Sequence, residues 1–112
     1  LGDIITNVNL PNTGQISNLP IGAVVETNAV FSHNSVRPVQ AGRLPCDVQS
    51  LVYRHVVNQE TTLKGALSKD KELVFRAFAN DPLVAISIQD AWKLFNEMLS
   101  STKKYLPGWD TE

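Results

Sequence analysis

Cysteine is almost missing: Cys46 is the only one in 112 residues, so no disulfide can form within the chain. Long apolar runs are missing too, and nothing approaches the ~18 residues that a membrane-crossing helix needs. No basic-then-apolar signal segment opens the sequence. Neither sign of charge prevails, with 10 basic against 11 acidic residues and a net charge of −1. That balance offers no electrostatic grip on nucleic acid or on an anionic membrane. Charged residues make up 19% and aromatic ones 7%, against 43% hydrophobic residues, a globular composition. At this length roughly two-thirds of the extended surface can be buried, enough for one modest core. Methionine occurs once, at Met98, and the chain opens on Leu1. The sequence therefore reads as a piece of a longer polypeptide, with part of the chemistry expected outside it.

The shortage of charge is uneven. Residues 1–36 hold only Asp3 and Glu26 among Asp, Glu, Lys and Arg, but six asparagines. From Arg37 onward charges are frequent and apolar residues recur at helical spacing. An α+β chain follows, with strands and loops over 1–44 and helices over 45–112.

Residues 3–9 are rich in β-branched side chains and predict a strand. Turn chemistry follows at Pro11–Asn12–Thr13–Gly14 and again at Pro20–Ile21–Gly22. Ala23, Val25, Thr27, Ala29 and Phe31 then alternate onto one apolar face, with Glu26 and Asn28 on the other. Ser32–His33–Asn34–Ser35 reads as a tight turn into a short return strand ending near Pro38. Proline lacks an amide proton, so that strand belongs at a sheet edge or ends there. A β-hairpin over 23–40 is the expectation.

Pro45 suits a first helical turn. Val48, Leu51, Val52, Val56, Leu63 and Leu67 predict a helix over 46–67, with a kink at Asn58 or Gly65 possible from sequence. A second helix covers 70–80, where Phe75 and Ala79 lie off the main stripe and imply burial on two sides. Ser87 is placed to cap a third helix, with Asp90 three residues on, and Lys103 and Lys104 are expected in its last turn.

Few residues suggest chemistry. Cys46, His33 and His55 match no zinc-ligand spacing. His55 reads as a packed or hydrogen-bonded structural histidine, His33 as a solvated turn residue, and Cys46 as a thiol without a partner base. Asp70 and Glu72 flank a helix start and face water. Glu26 and Asn28 are a polar pair able to line a groove, or the solvent side of an edge. The stretch 12–20 has a single glycine, too few for a phosphate-cradling loop, but five of its nine residues are Asn, Gln, Ser or Thr. Uncharged amides both donate and accept, as sugar hydroxyls require, though composition alone favours an ordinary polar loop.

A resemblance carries the reading further. Val8–Asn9–Leu10–Pro11–Asn12–Thr13–Gly14–Gln15–Ile16–Ser17–Asn18–Leu19–Pro20 resembles the N-x-P-N-x-G-x-I-x-N-L-P signature of glycoside hydrolase family 4. Ala23–Val24–Val25–Glu26, Gly42–Arg43–Leu44–Pro45, Asp81–Pro82–Leu83 and Trp92 to Leu99 with Tyr105–Leu106–Pro107 follow in the family's order. The resemblance implies the last part of an α+β C-terminal domain, like that of lactate and malate dehydrogenases, behind a Rossmann domain. It implies a glycosidase that uses NAD and a divalent metal, usually manganese. In that scheme transient oxidation at the sugar C3 acidifies the C2 proton, the aglycone is eliminated, water adds and the hydride returns.

The family's dinucleotide loop, metal-binding Cys and His, and catalytic base lie upstream, so no catalytic, cofactor-binding or metal role falls on this chain. The residues expected beside the substrate are Asn9, Asn12, Gly14 and Gln15. If so, Asn12→Ala should lower activity without a matching loss of stability. No basic cluster for a sugar phosphate stands out, which leans toward an unphosphorylated sugar or a uronate that Arg37 or Arg43 could pair with. The expected partners are a carbohydrate substrate and further copies of the subunit, in the cytoplasm, with no nucleic acid and no membrane. The alternative is a stand-alone interaction domain without catalysis, binding through the stripe of its last helix.

Overall fold

The computed structural model describes residues 2–109. Three antiparallel strands come first: β1 (Ile4–Pro11), β2 (Val24–Ser32) and β3 (Ser35–Pro38), in spatial order β1-β2-β3. Three helices follow: α1 (Cys46–Ser68), α2 (Lys71–Ala79) and α3 (Ile88–Thr102), then a 3-10 turn at Lys103–Tyr105. The α+β class expected from the sequence is therefore present. Among the described residues no helix is long and apolar enough to cross a membrane. The chain forms two compact units, residues 1–53 and 54–112.

In the first unit the register is set by the alternation of β2. Ala23, Val25, Thr27 and Ala29 are all buried, while Val24, Glu26 and Asn28 are exposed. A one-residue slip would turn that apolar set to water, so the pattern itself specifies the pairing. Ser32 pairs with Ser35, which leaves His33–Asn34 as a two-residue turn. Pro38 is the last residue of edge strand β3, where its missing donor costs no ladder bond. The structure adds what the expected hairpin left out: β1 pairs with β2 along its whole length, Ile4 opposite Phe31 through Pro11 opposite Val24.

In the second unit α2 is half-buried around most of its circumference and not fully buried on two sides: Leu73, Val74, Phe75, Phe78 and Ala79 are each half-buried. Ala77 is buried, and only Glu72 and Arg76 of this helix face water. Phe75 meets Trp92 edge-on at 4.7 Å, Phe95 at 5.4 Å and Phe78 at 6.5 Å between ring centroids. Phe78 also meets Phe95, at 5.6 Å. Such edge and tilted pairs add about 0.5–1.5 kcal/mol each beyond area burial. α1 continues to Ser68 as one helix, through both Asn58 and Gly65. Gly65 is there for closeness: a Cβ on it would lie 2.6 Å from Val74 Cγ2 and 3.1 Å from the Val74 nitrogen. Asp70 caps α2 by accepting from Leu73 N at 2.9 Å. Ser87 caps α3 by accepting from Asp90 N at 3.1 Å, and its hydroxyl donates to Asp90 Oδ2 at 2.7 Å.

Lys103 and Lys104 are not in the last turn of α3. The helix ends at Thr102, and both lysines belong to the 3-10 turn. The Thr102 hydroxyl donates to the Met98 carbonyl at 2.8 Å, meeting a terminal acceptor that the lysines were expected to complement.

Candidate functional site

The polar loop between β1 and β2 is held together by two buried amides. Asn12 has no exposed surface, and Gln15 is 2% exposed. Asn12 Nδ2 donates to the carbonyls of Ile16 (3.0 Å), Leu19 (3.0 Å) and Pro20 (3.2 Å). Its Oδ1 accepts from the amides of Gly14 (3.1 Å) and Ile16 (3.2 Å). Gln15 Oε1 accepts from the Thr13 amide and hydroxyl, and Nε2 donates to the Pro11 carbonyl at 3.1 Å. A loop without ladder partners leaves main-chain groups unpaired, and an amide with both donors and acceptors can close several at once. Gly14 completes the turn with φ of +128°, a region that side chains rarely adopt.

A second clamp fastens this loop to residues 41–44. The amides of Ala41 and Gly42 donate to the Gln15 carbonyl at 2.8 and 3.1 Å, and Ser17 N donates to Gly42 O at 3.0 Å. Asn18 Nδ2 donates to Leu44 O and its Oδ1 accepts from Leu44 N, both at 2.9 Å. Gln49, in the first turns of α1, donates to Asn18 O at 3.1 Å. The result is a stiff platform under a recess of about 380 Å³ lined by Asn7, Glu26, Asn28 and Gln40, with Thr27 and Ile16. The Thr27 hydroxyl is buried there with no hydrogen-bond partner.

The four residues expected beside a substrate therefore divide. The side chains of Asn12 and Gln15 are buried and engaged with the loop's own backbone, which limits what they can offer a sugar. Asn9 is exposed, opposite Glu26 in the β1–β2 register, and Gly14 is half-buried. Glu26 and Asn28 do line a recess, together with Asn7, which pairs with Asn28 across the strands. Sequence reasoning missed Asn7 and Asn18. For Asn7 the period-two alternation of β1 was a usable signal; for Asn18 none existed, because its partner lies 26 residues away.

Cys46, His33 and His55 are all exposed. His55 thus differs from the packed histidine its helical stripe suggested: it is exposed, on the α1 surface that with Asn58, Gln59, Thr62 and Leu63 lines a groove beside α2 and α3. Among the described residues no group of three or more His, Cys, Asp or Glu converges. The described residues therefore offer no clustered set of ligands for a manganese ion. Arg37 lies 3.7 Å from Asp3 in an exposed ion pair and donates to Ser32 Oγ. Arg43 is exposed beside the recess-lining residues Gly42 and Leu44.

Comparison with known proteins adds a lineage to this geometry. Residues 2–84 match the model of the family 4 glycosyl hydrolase C-terminal domain. The chain is 65% identical to an alpha-galacturonidase of Thermoanaerobacterium saccharolyticum over 97% of its own length and 23% of that protein's. It is 52% identical to an alpha-galacturonidase of Thermoanaerobacter italicus, over 97% of this chain and 24% of that one. A 6-phospho-beta glucosidase of Thermotoga maritima, solved with manganese, NAD+ and glucose-6-phosphate, superimposes with a TM-score of 0.83. That match has 25% identity and covers 93% of this chain and 26% of that one. The chain thus spans about a quarter of the length of these relatives.

Proposed function

Because the chain belongs to glycosyl hydrolase family 4, through its C-terminal domain, we propose that it is one part of a glycosidase that hydrolyses α-galacturonides. The observation that carries this reading is the 65% identity to an alpha-galacturonidase across nearly the whole chain. An alpha-galactosidase from Bacillus subtilis stands further off, at 32% identity. The manganese and NAD+ bound in the Thermotoga maritima relative support the same requirement in this enzyme. When bound, they supply hydride transfer at the sugar and polarisation of the oxygen so formed. On this reading residues outside this chain hold both; among the described residues no group of three or more His, Cys, Asp or Glu converges.

The chain's own part is structural and positional. The Asn12 and Gln15 network and the Asn18–Leu44 clamp keep the loop rigid, so that Asn9 and the Gly14 turn present a fixed wall beside the sugar. Pre-organisation of this kind avoids ordering costs on binding. Arg43, not tied into an ion pair with the neighbouring strands as Arg37 is, is the cation of residues 1–53 that best suits a uronate carboxylate. We place the enzyme in the cytoplasm, where NAD is available, as a homo-oligomer.

The test is turnover of nitrophenyl α-galacturonide and α-galactoside by the full-length protein, with and without NAD and manganese. Cleavage of the galacturonide that needs both additions supports the reading. Cleavage of the galactoside alone, or of neither, overturns it.

A further inference from the structure

Arg43 sits between two residues whose main chain is fully engaged. The Gly42 amide donates to the Gln15 carbonyl at 3.1 Å, and the Gly42 carbonyl accepts from Ser17 N at 3.0 Å. The Leu44 amide donates to Asn18 Oδ1, and the Leu44 carbonyl accepts from Asn18 Nδ2, both at 2.9 Å. Asn18 is itself held from α1, because Gln49 Nε2 donates to its carbonyl at 3.1 Å. A connecting segment without such bonds is mobile, and so is the base of any long side chain it carries. Here the main chain at Arg43 is fixed from both sides while the residue stays exposed. Of the two cations in residues 1–53, Arg37 is paired with Asp3, whereas Arg43 has no ion-pair partner among the described residues. A guanidinium without a carboxylate of its own, on a stem anchored at its base, is suited to an anion that arrives from outside.

We infer that Asn18 is a positioning residue for Arg43: its side-chain amide, closed on both main-chain groups of Leu44, aims the guanidinium at the carboxylate of a uronic acid. The inference rests on the reading of the chain as part of an α-galacturonidase in which Arg43 is the uronate cation. It adds that recognition of the carboxylate depends on a residue that does not touch it. Only a side chain that both donates and accepts can close on the N–H and the C=O of one residue, which is why an amide stands at this position. Fixing the segment in advance spares the ordering cost that a loose one would meet when the sugar arrives. Loss of the clamp therefore weakens binding of galacturonate and leaves binding of galactose unchanged, since galactose offers Arg43 no carboxylate. A purely architectural role would weaken both sugars alike.

The experiment is ligand-detected NMR titration of galacturonate and of galactose on the full-length protein loaded with NAD+ and manganese. Wild type, Asn18→Ala, Arg43→Gln and the double variant are compared, and the readout is the ratio of the two dissociation constants. The preference for galacturonate should fall about tenfold or more in Arg43→Gln and about three- to tenfold in Asn18→Ala. The double variant should match Arg43→Gln, because two residues that act through one contact are not additive. Gln49→Ala, which frees Asn18 from α1, should lower the preference in the same direction by less, and it replaces Asn18→Ala if circular dichroism shows that variant unfolded. Equal weakening of both sugars overturns the inference. A preference lost in Arg43→Gln but kept in Asn18→Ala overturns it and leaves the galacturonidase reading standing, as does a preference kept in Arg43→Gln. A wild type that does not prefer galacturonate overturns the reading and the inference together.

Discussion

Asn18 and Leu44 face each other as though they were neighbouring strands. The side-chain amide of Asn18 donates to the Leu44 carbonyl and accepts from the Leu44 amide, each at 2.9 Å, across 26 residues of sequence. The pairing ties the polar loop to the segment that leads into α1. Asn18→Ala removes both bonds and leaves two main-chain groups at Leu44 without them. We expect a loss of about 1–3 kcal/mol, read from urea unfolding followed by circular dichroism. Asn18→Asp should cost a similar amount, since a carboxylate accepts from the amide but cannot donate to the carbonyl. A loss below a few tenths would mean that water replaces the clamp.

Asn12 carries a heavier share of the same loop. It is buried with five hydrogen bonds to backbone groups, so Asn12→Ala should destabilise the chain by roughly 3 kcal/mol or more. Activity of the full-length enzyme should fall together with stability. This differs from the sequence-based expectation of lost activity at unchanged stability, because the side chain meets the loop's own backbone. Lost activity with an unaltered urea midpoint would restore a direct role at the substrate.

Arg43 and Asn9 offer the contrast, both being exposed. In the full-length enzyme Arg43→Gln should raise KM for an α-galacturonide, leave kcat nearly unchanged and leave the urea midpoint where it was. Asn9→Ala should behave in the same way with a smaller rise. Equal KM values for wild type and Arg43→Gln would remove this arginine from uronate recognition.

Gly65 tests the contact between helices. Alanine in a helix interior normally gains about 1 kcal/mol over glycine. Here the added Cβ would meet Val74 Cγ2 at 2.6 Å and the Asp70 carbonyl at 3.2 Å. Overpacking of about 1–3 kcal/mol should win, and Gly65→Ala should lower the melting temperature. A raised melting temperature would show that α2 can shift aside at little cost.

Phe95 is 5% exposed and meets Phe75, Phe78 and Trp92 at centroid distances of 5.4, 5.6 and 6.0 Å. Phe95→Ala should cost about 3–5 kcal/mol and shift the tryptophan emission, since Trp92 loses a ring neighbour. An unchanged emission spectrum would contradict the cluster.

Elements whose instructions are local were readable from the chain. The alternation of Ala23, Val25, Thr27 and Ala29 marked β2 and its buried face, because side chains in a strand point to opposite sides in turn. Ser87 and Asp90 marked the start of α3, because a cap acts within one turn. Collinear motifs such as Asn12–Thr13–Gly14 and Asp81–Pro82–Leu83 pointed to the family, since a motif is itself a string of residues. Tertiary structure alone decided the rest. It decided which amides are enclosed by their own loop and which stay exposed, because burial depends on chain that returns from elsewhere. Asn12 and Asn9 are the same residue type three positions apart, one enclosed and one exposed. It also turned the exposed leucines of the second unit into the lining of one groove, because apolar residues on separate helices converge only when those helices pack.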